Sequence, residues 1–219
     1  SMTDCALARH NMVESQLRPN AITDPRLIAA FDSLPREQFV GPELAEVAYL
    51  DRSLAAGGGR HLLEPLVLAT MLRALTISEA DVVLDIGCGT GYSTAVMSKL
   101  AATVVALESD ATLAARADEN LTALGVDNAV VVAGELAEGY PSQAPFDVIF
   151  IGGAVPEIPA ALSAQLVDGG RLCAVLADDA GNMRARLSIR TGDTFYHRTI
   201  SDAAAPEMPG FAVPAGFVF

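Results

Sequence analysis

Val82-Val83-Leu84-Asp85-Ile86-Gly87-Cys88-Gly89-Thr90-Gly91-Tyr92-Ser93 is the stretch whose reading decides the fold. A short run of branched apolar residues carries one acid and ends in three glycines at every second position. A helical pattern begins directly after them. The apolar run reads as a strand buried on both faces, as in a parallel sheet covered by helices. The glycines turn the chain sharply and let a ligand lie against bare backbone. Together they predict a nucleotide-type binding turn at the carboxyl end of a first parallel strand.

The spacing narrows the ligand. The dinucleotide fingerprint is G-x-G-x-x-G. Here the third glycine comes one residue early, and Asp85 stands two residues before the first. That spacing disfavours an NAD-dependent oxidoreductase. S-adenosylmethionine has no phosphate and carries a sulfonium and an ammonium, which an acid at Asp85 suits. Twenty-one positions after Gly87, the run Thr103–Leu107 ends in Glu108, where a carboxylate can accept both ribose hydroxyls. The residues expected to hold the donor are Asp85, Gly87, Cys88, Gly89 and Gly91 at the first strand end, then Glu108 and Ser109 at the second. Glu135 is expected at the adenine amino group and Leu136 on the base, with Gly152 at the fourth strand end. Asp85, the glycine spacing and Glu108 together resemble a class I S-adenosylmethionine-dependent methyltransferase.

The 219 residues suffice for one α/β domain with an appendage, and 51% hydrophobic content supplies a full core. No apolar run approaches the roughly 20 residues of a membrane span. No charged-then-apolar leader precedes the first helix, so a cytoplasmic protein is expected; Ser1 before Met2 is set aside as a cloning remnant. A net charge of −13 argues against a nucleic-acid partner, since phosphate neutralisation needs a basic face. Cys5, Cys88 and Cys173 are scattered, with no C-x-x-C, so neither zinc nor a disulfide framework is expected. Cys88 fits the turn by its small size.

Read in order, residues 1–80 form a helical segment packed on the sheet, and residues 81–219 the Rossmann-like donor-binding domain. Apolar positions at helical spacing fill 3–18. Thr23-Asp24-Pro25 opens a second helix with a cap and an N1 proline, and Leu34-Pro35-Arg36-Glu37 ends it. Gly57-Gly58-Gly59 marks an irregular connection, and Glu64-Pro65 opens another helix. From Val82 strands and helices alternate: strands at 82–87, 103–108, 129–133, 145–151 and 171–176, helices at 92–101, 110–124 and 159–166. This alternation predicts a mostly parallel, doubly wound α/β sheet with right-handed crossovers. Ala185–Arg190 and Thr194–Ile200 read as a C-terminal β hairpin around Thr191-Gly192-Asp193. Ala203–Pro209 reads as loop and Phe211–Phe219 as a last strand.

Further stretches carry a narrower likeness. Leu34-Pro35-Arg36-Glu37-Gln38-Phe39-Val40, Ala48-Tyr49-Leu50-Asp51, Gly57–Met71 and Phe146–Arg171 with its Pro156-Glu157-Ile158-Pro159 resemble the protein-L-isoaspartate O-methyltransferase family. The resemblance covers residues 10–176. It implies protein repair: methylation of a carboxylate on a protein or peptide, with S-adenosyl-L-homocysteine as product. One stretch departs. Where the family carries Gly-Gln-Thr-Ile-Ser-Gln-Pro, with its serine at the acceptor carboxylate, this chain reads Gly59-Arg60-His61-Leu62-Leu63-Glu64-Pro65. A leucine donates no hydrogen bond, and an acid beside it repels a carboxylate. Arg60 can neutralise an anionic acceptor in place of the serine. His61 can act as base if the acceptor is a hydroxyl, whereas a carboxylate acceptor requires none. The Leu63 position therefore leaves open another acceptor, a small molecule included, or a donor-binding protein without turnover. His10 and His197 lie outside these motifs and read as surface or structural residues.

Overall fold

Val82–Ile86 (β3) is flanked by parallel partners on both sides, as its apolar residues on both faces require. The computed structural model describes residues 1–211. A small hairpin, β1 (Leu54–Gly57) and β2 (Arg60–Leu62), precedes the main sheet. That sheet adds β4 (Thr103–Glu108), β5 (Ala129–Ala133), β6 (Phe146–Val155), β7 (Leu166–Ala177), β8 (Met183–Thr191) and β9 (Thr194–Asp202) in the order β5-β4-β3-β6-β7-β8-β9. The strands from β5 to β7 are parallel, while β8 and β9 return as an antiparallel meander. This is the Rossmann-like sheet with its C-terminal hairpin. Strand order reverses between β3 and β6, so the crevice at their carboxyl ends is the switch point where such sheets bind ligands.

The two faces of β3 follow its period of two. Leu84 and Ile86 join Val105, Leu107, Ile149 and Ile151 on one face. Val83 faces the larger core, shared with helices α1 (Met2–Met12), α2 (Pro25–Ser33), α3 (Pro65–Leu75) and α4 (Tyr92–Ser98) through Met12, Phe31, Leu68, Leu72 and Val96. Asp24 caps α2 by accepting from Arg26 N at 2.9 Å, and Arg171 closes the end of α3 by donating to Leu75 O at 2.7 Å. α5 (Ala111–Ala123) covers β4 and β5 and stops just before Gly125.

Four local differences from the sequence reading have physical causes. The first helix widens into a π turn at Val13–Leu17 and a 3₁₀ turn at Arg18–Asn20, where Pro19 withdraws its donor. Gly57-Gly58-Gly59 is the tip of the β1–β2 hairpin, all three with positive φ. The helix expected over 159–166 is a single turn, α6 (Ala160–Ser163), because Gln165 O receives Phe146 N at 2.7 Å and pulls the chain into the sheet. β6 runs on through Gly152 and Gly153, since the segment 206–208 lies alongside it: Ala154 N donates to Pro206 O and Met208 N to Ala154 O, each at 2.8 Å. A side chain at Gly153 would meet Pro206 O at 2.9 Å. Of the expected strand Phe211–Phe219, all but the first residue lies outside the described part.

Among the described residues β9 pairs on one side only, with a register shift at Ala185/Arg186, and it exposes Thr194, Tyr196, His197, Arg198 and Thr199. No helix there is long and apolar enough to cross a membrane.

Arg36 ties the N-terminal helices to the switch point. Its guanidinium has no solvent contact; it donates to Ala48 O at 2.6 Å and Leu63 O at 2.8 Å, and lies 5.0 Å from the centre of the Tyr92 ring. Arg36→Met is expected to leave two buried carbonyls unpaired and cost about 2–5 kcal/mol. Urea unfolding checks this, and an unchanged midpoint contradicts it.

Candidate functional site

The carboxyl end of β3 turns through Gly87 (φ 74), Gly89 (φ 58) and Gly91 (φ 98) before α4 begins. Left-handed backbone at alternate positions explains why glycine recurs there. The turn is pinned to β4, with Gly87 N and Cys88 N donating to Leu107 O at 2.9 and 3.2 Å. It is also pinned to the N-terminal segment, with Thr90 Oγ1 donating to Phe39 O at 2.7 Å.

Asp85 has no solvent exposure. Its Oδ2 accepts from Ser93 Oγ at 2.8 Å and Thr94 Oγ1 at 2.7 Å, while Oδ1 is buried with no donor among the described residues. Burial pushes its carboxyl up to about 6; the two hydroxyls oppose the shift, and Glu108 adds to it. An unsatisfied carboxylate oxygen beside a glycine turn is a place for a donor group or cation from outside the chain. That observation fits the amino-acid end of S-adenosylmethionine. Ser93 and Thr94 escaped the sequence reading; the signal available was two hydroxyls in the first turn of the helix after the glycines.

Glu108 is equally buried at the end of β4, but it is fully paired. Oε1 accepts from Arg60 Nε at 2.8 Å and Gly89 N at 3.0 Å; Oε2 accepts from Arg60 Nη2 and Asp110 N, both at 2.8 Å. Arg60 also donates to Ser109 Oγ at 2.8 Å. The residue expected at the acceptor is thus seated on the residue expected at the ribose. Leu136 is buried and would lie 3.6 Å from a side chain at Gly87, whereas Glu135 is exposed at the strand end. Gly152 lines the same cleft as Gly87, Gly89, His61 and Leu63, and the cleft encloses about 20 Å³. That is room for about one water. Met208 lies against the same turn, its Sδ 2.5 Å from where a Cβ on Gly87 would stand, a contact no sequence pattern announced.

On the acceptor side Leu63 is buried and lends its carbonyl to Arg36, while the adjacent Glu64 is partly buried. Burial, then Asp51, raises the Glu64 carboxyl above its usual range. His61 is exposed on β2 at the rim. The Cys88 thiol is driven well above its ordinary value by burial and then by Asp85 and Glu108, which leaves it inert as a nucleophile. His10 pairs with Asp32, and His197 with Ser188; neither lines the cleft. No cluster of metal-ligating side chains occurs among the described residues.

The comparisons with known proteins agree with this geometry. A family model described as Protein-L-isoaspartate(D-aspartate) O-methyltransferase matches residues 8–204. A Protein-L-isoaspartate O-methyltransferase of Methanoculleus marisnigri is 45% identical over 170 residues, 78% of this chain and 77% of the relative. One of Koribacter versatilis is 43% identical over 171 residues, again 78% and 77%. A solved protein-L-isoaspartate O-methyltransferase superposes with a TM-score of 0.80 at 26% identity, over 92% of this chain and 66% of that longer one. A Plasmodium falciparum structure in complex with S-adenosyl-L-homocysteine shares the fold, with a TM-score of 0.77 at 19% identity over 91% of this chain and 97% of that one.

Asp85 gives a testable pH signature. Its carboxyl is raised from 3.8 to about 6 on folding, so between those values folding takes up a proton. The group's contribution to stability is present at low pH and lost as pH rises through that window. Asp85→Asn is expected to stabilise the chain by about 1–3 kcal/mol at pH 8 and to change little at pH 4. Urea titrations at the two pH values check this; equal effects at both would contradict it.

Proposed function

The chain belongs to the protein-L-isoaspartate O-methyltransferase family, and we propose that it esterifies the free carboxylate of isoaspartyl residues in damaged proteins or peptides. S-adenosylmethionine supplies a methyl group activated by its sulfonium and is released as S-adenosyl-L-homocysteine. The observation that carries the donor half is Asp85 Oδ1, buried beside the glycine turn with no donor among the described residues. Asp85 would face the cationic amino-acid end, Glu108 the ribose, and Leu136 the base. Gly87 and Gly89 carry no side chain of their own, so a donor approaching the backbone has only Met208 and Arg60 to displace there. The family assignment favours a protein carboxylate over the other acceptors left open by Leu63.

The chemistry asks little of side chains. A carboxylate with an ordinary pKa near 4 is ionised at pH 7 and attacks without a general base. The chain's work is position and exclusion of water. This agrees with a cleft whose thiol is protonated and whose one histidine stands at the rim. Glu64 follows Leu63 of the cleft and feels the charge of Asp51, so an anionic acceptor there is helped by a cation; Arg60, beside the cleft at Gly89, is the arginine at hand. A cytoplasmic setting is supported by three cysteines that all stand unpaired, and a net charge of −13 speaks against nucleic acid as partner.

The test is transfer of label from radiolabelled S-adenosylmethionine to an isoaspartyl peptide, with the aspartyl peptide of the same sequence as control. Base-labile label on the first alone is expected. No transfer by protein that binds S-adenosyl-L-homocysteine rejects the acceptor assignment. Asp85→Asn, which removes a charge-assisted contact, is expected to weaken donor binding about tenfold or more.

A further inference from the structure

A carboxylate offers about four lone-pair positions, and all four of Glu108 are filled from within the chain. Two of the donors, Gly89 N and Asp110 N, are backbone amides. One belongs to the glycine turn, the other to the residue capping α5, and neither leaves without unmaking the end of a strand. The other two are Arg60 Nε and Nη2. Arg60 stands on the three-residue strand β2 of a hairpin that forms no part of the main sheet. The hairpin turns at three consecutive glycines. Two-stranded ribbons of this kind are marginal on their own. The guanidinium is therefore the one donor on Glu108 that can give way.

We infer that Arg60 has two working positions: on Glu108 before the donor binds, and on the acceptor carboxylate once the ribose hydroxyls have taken its place. This deepens the function proposed above and rests on it. Three observations converge. First, Glu108 has no free position, so a ribose diol must exchange with a resident donor. Second, besides Glu108 the guanidinium donates to Ser109 Oγ, and its backbone belongs to a short ribbon, so release breaks one further side-chain contact and no strand of the main sheet. Third, the described residues lining the cleft include no lysine or arginine, and Arg60 stands directly beside it, its Cβ 3.4 Å from where a side chain on Gly89 would begin. An anionic acceptor arriving there finds its counter-charge only when Arg60 is free. Donor loading thereby creates the acceptor site, and binding becomes ordered.

Calorimetry with S-adenosyl-L-homocysteine tests the exchange. Arg60→Gln removes the competitor and keeps an uncharged donor. If the wild-type latch is closed about nine-tenths of the time, the variant binds the nucleoside about tenfold more tightly. Arg60→Lys, a point charge that cannot span both oxygens, is expected to fall between the two. An arginine that merely braces the fold would give equal or weaker binding on removal, and that result overturns the inference. A second readout is affinity for an isoaspartyl peptide. In wild type it should rise when S-adenosyl-L-homocysteine is present, and in Arg60→Gln it should be weak with or without it. Peptide binding in wild type that ignores the nucleoside also overturns the inference. If the nucleoside binds neither wild type nor variant, the donor assignment fails and the exchange with it. If it binds wild type and Arg60→Gln gains nothing, the exchange alone fails.

Discussion

Two carboxylates without solvent contact, at the ends of adjacent parallel strands, are the constraint around which this structure is built. The register that sets Ile86 beside Leu107 brings the ends of β3 and β4 together, and with them Asp85 and Glu108. Burying one such charge is costly, and burying two close together is more so. The chain meets the problem differently at each. Glu108 receives a guanidinium and two amides, a fully satisfied arrangement. Asp85 receives two hydroxyls on one oxygen and nothing on the other, and its affinity for a proton rises. The unsatisfied member is the one that marks the site.

That asymmetry explains the arrangement of the first eighty residues. Arg60 reaches Glu108 only because the β1–β2 hairpin is laid over the glycine turn. The segments around the hairpin are held by Arg36, which gathers carbonyls from Ala48 and Leu63 against the Tyr92 ring at the start of α4. Helices α1 to α3 share one core with the sheet. The N-terminal segment thus completes the electrostatics of the strand ends, which the sheet alone would leave open.

The sheet could be read from the chain because its signals are local. Branched apolar runs ending in acid or glycine mark β3 and β4 to within a residue, and the hairpin at Thr191-Gly192-Asp193 is announced by its own turn. The acids at the strand ends were legible for the same reason. What was hidden depends on distance along the chain. Gly57-Gly58-Gly59 reads as a loose connection because strands of three or four residues carry no periodicity. Arg60 was legible as a cation near the acceptor, yet its partner lies 48 positions away. Met208, in a stretch that reads as loop, reaches the glycine turn only because the end of β6 accepts a neighbour at Ala154. Single-residue contacts between remote segments leave no trace in spacing or composition.

Among the described residues β9 closes the sheet without a second partner, and that edge bears on the company such a protein keeps. Damaged proteins present frayed, half-unfolded stretches, and an open sheet edge invites such stretches to add themselves as another strand. Along β9 the exposed positions are threonine, tyrosine, histidine, arginine and aspartate, and the pairing slips register near its end. A polar border with charged side chains and a register shift near its end is a poor template for adhesion. A methyltransferase bounded by it can meet a protein substrate at its cleft without offering its own sheet as a place to pair.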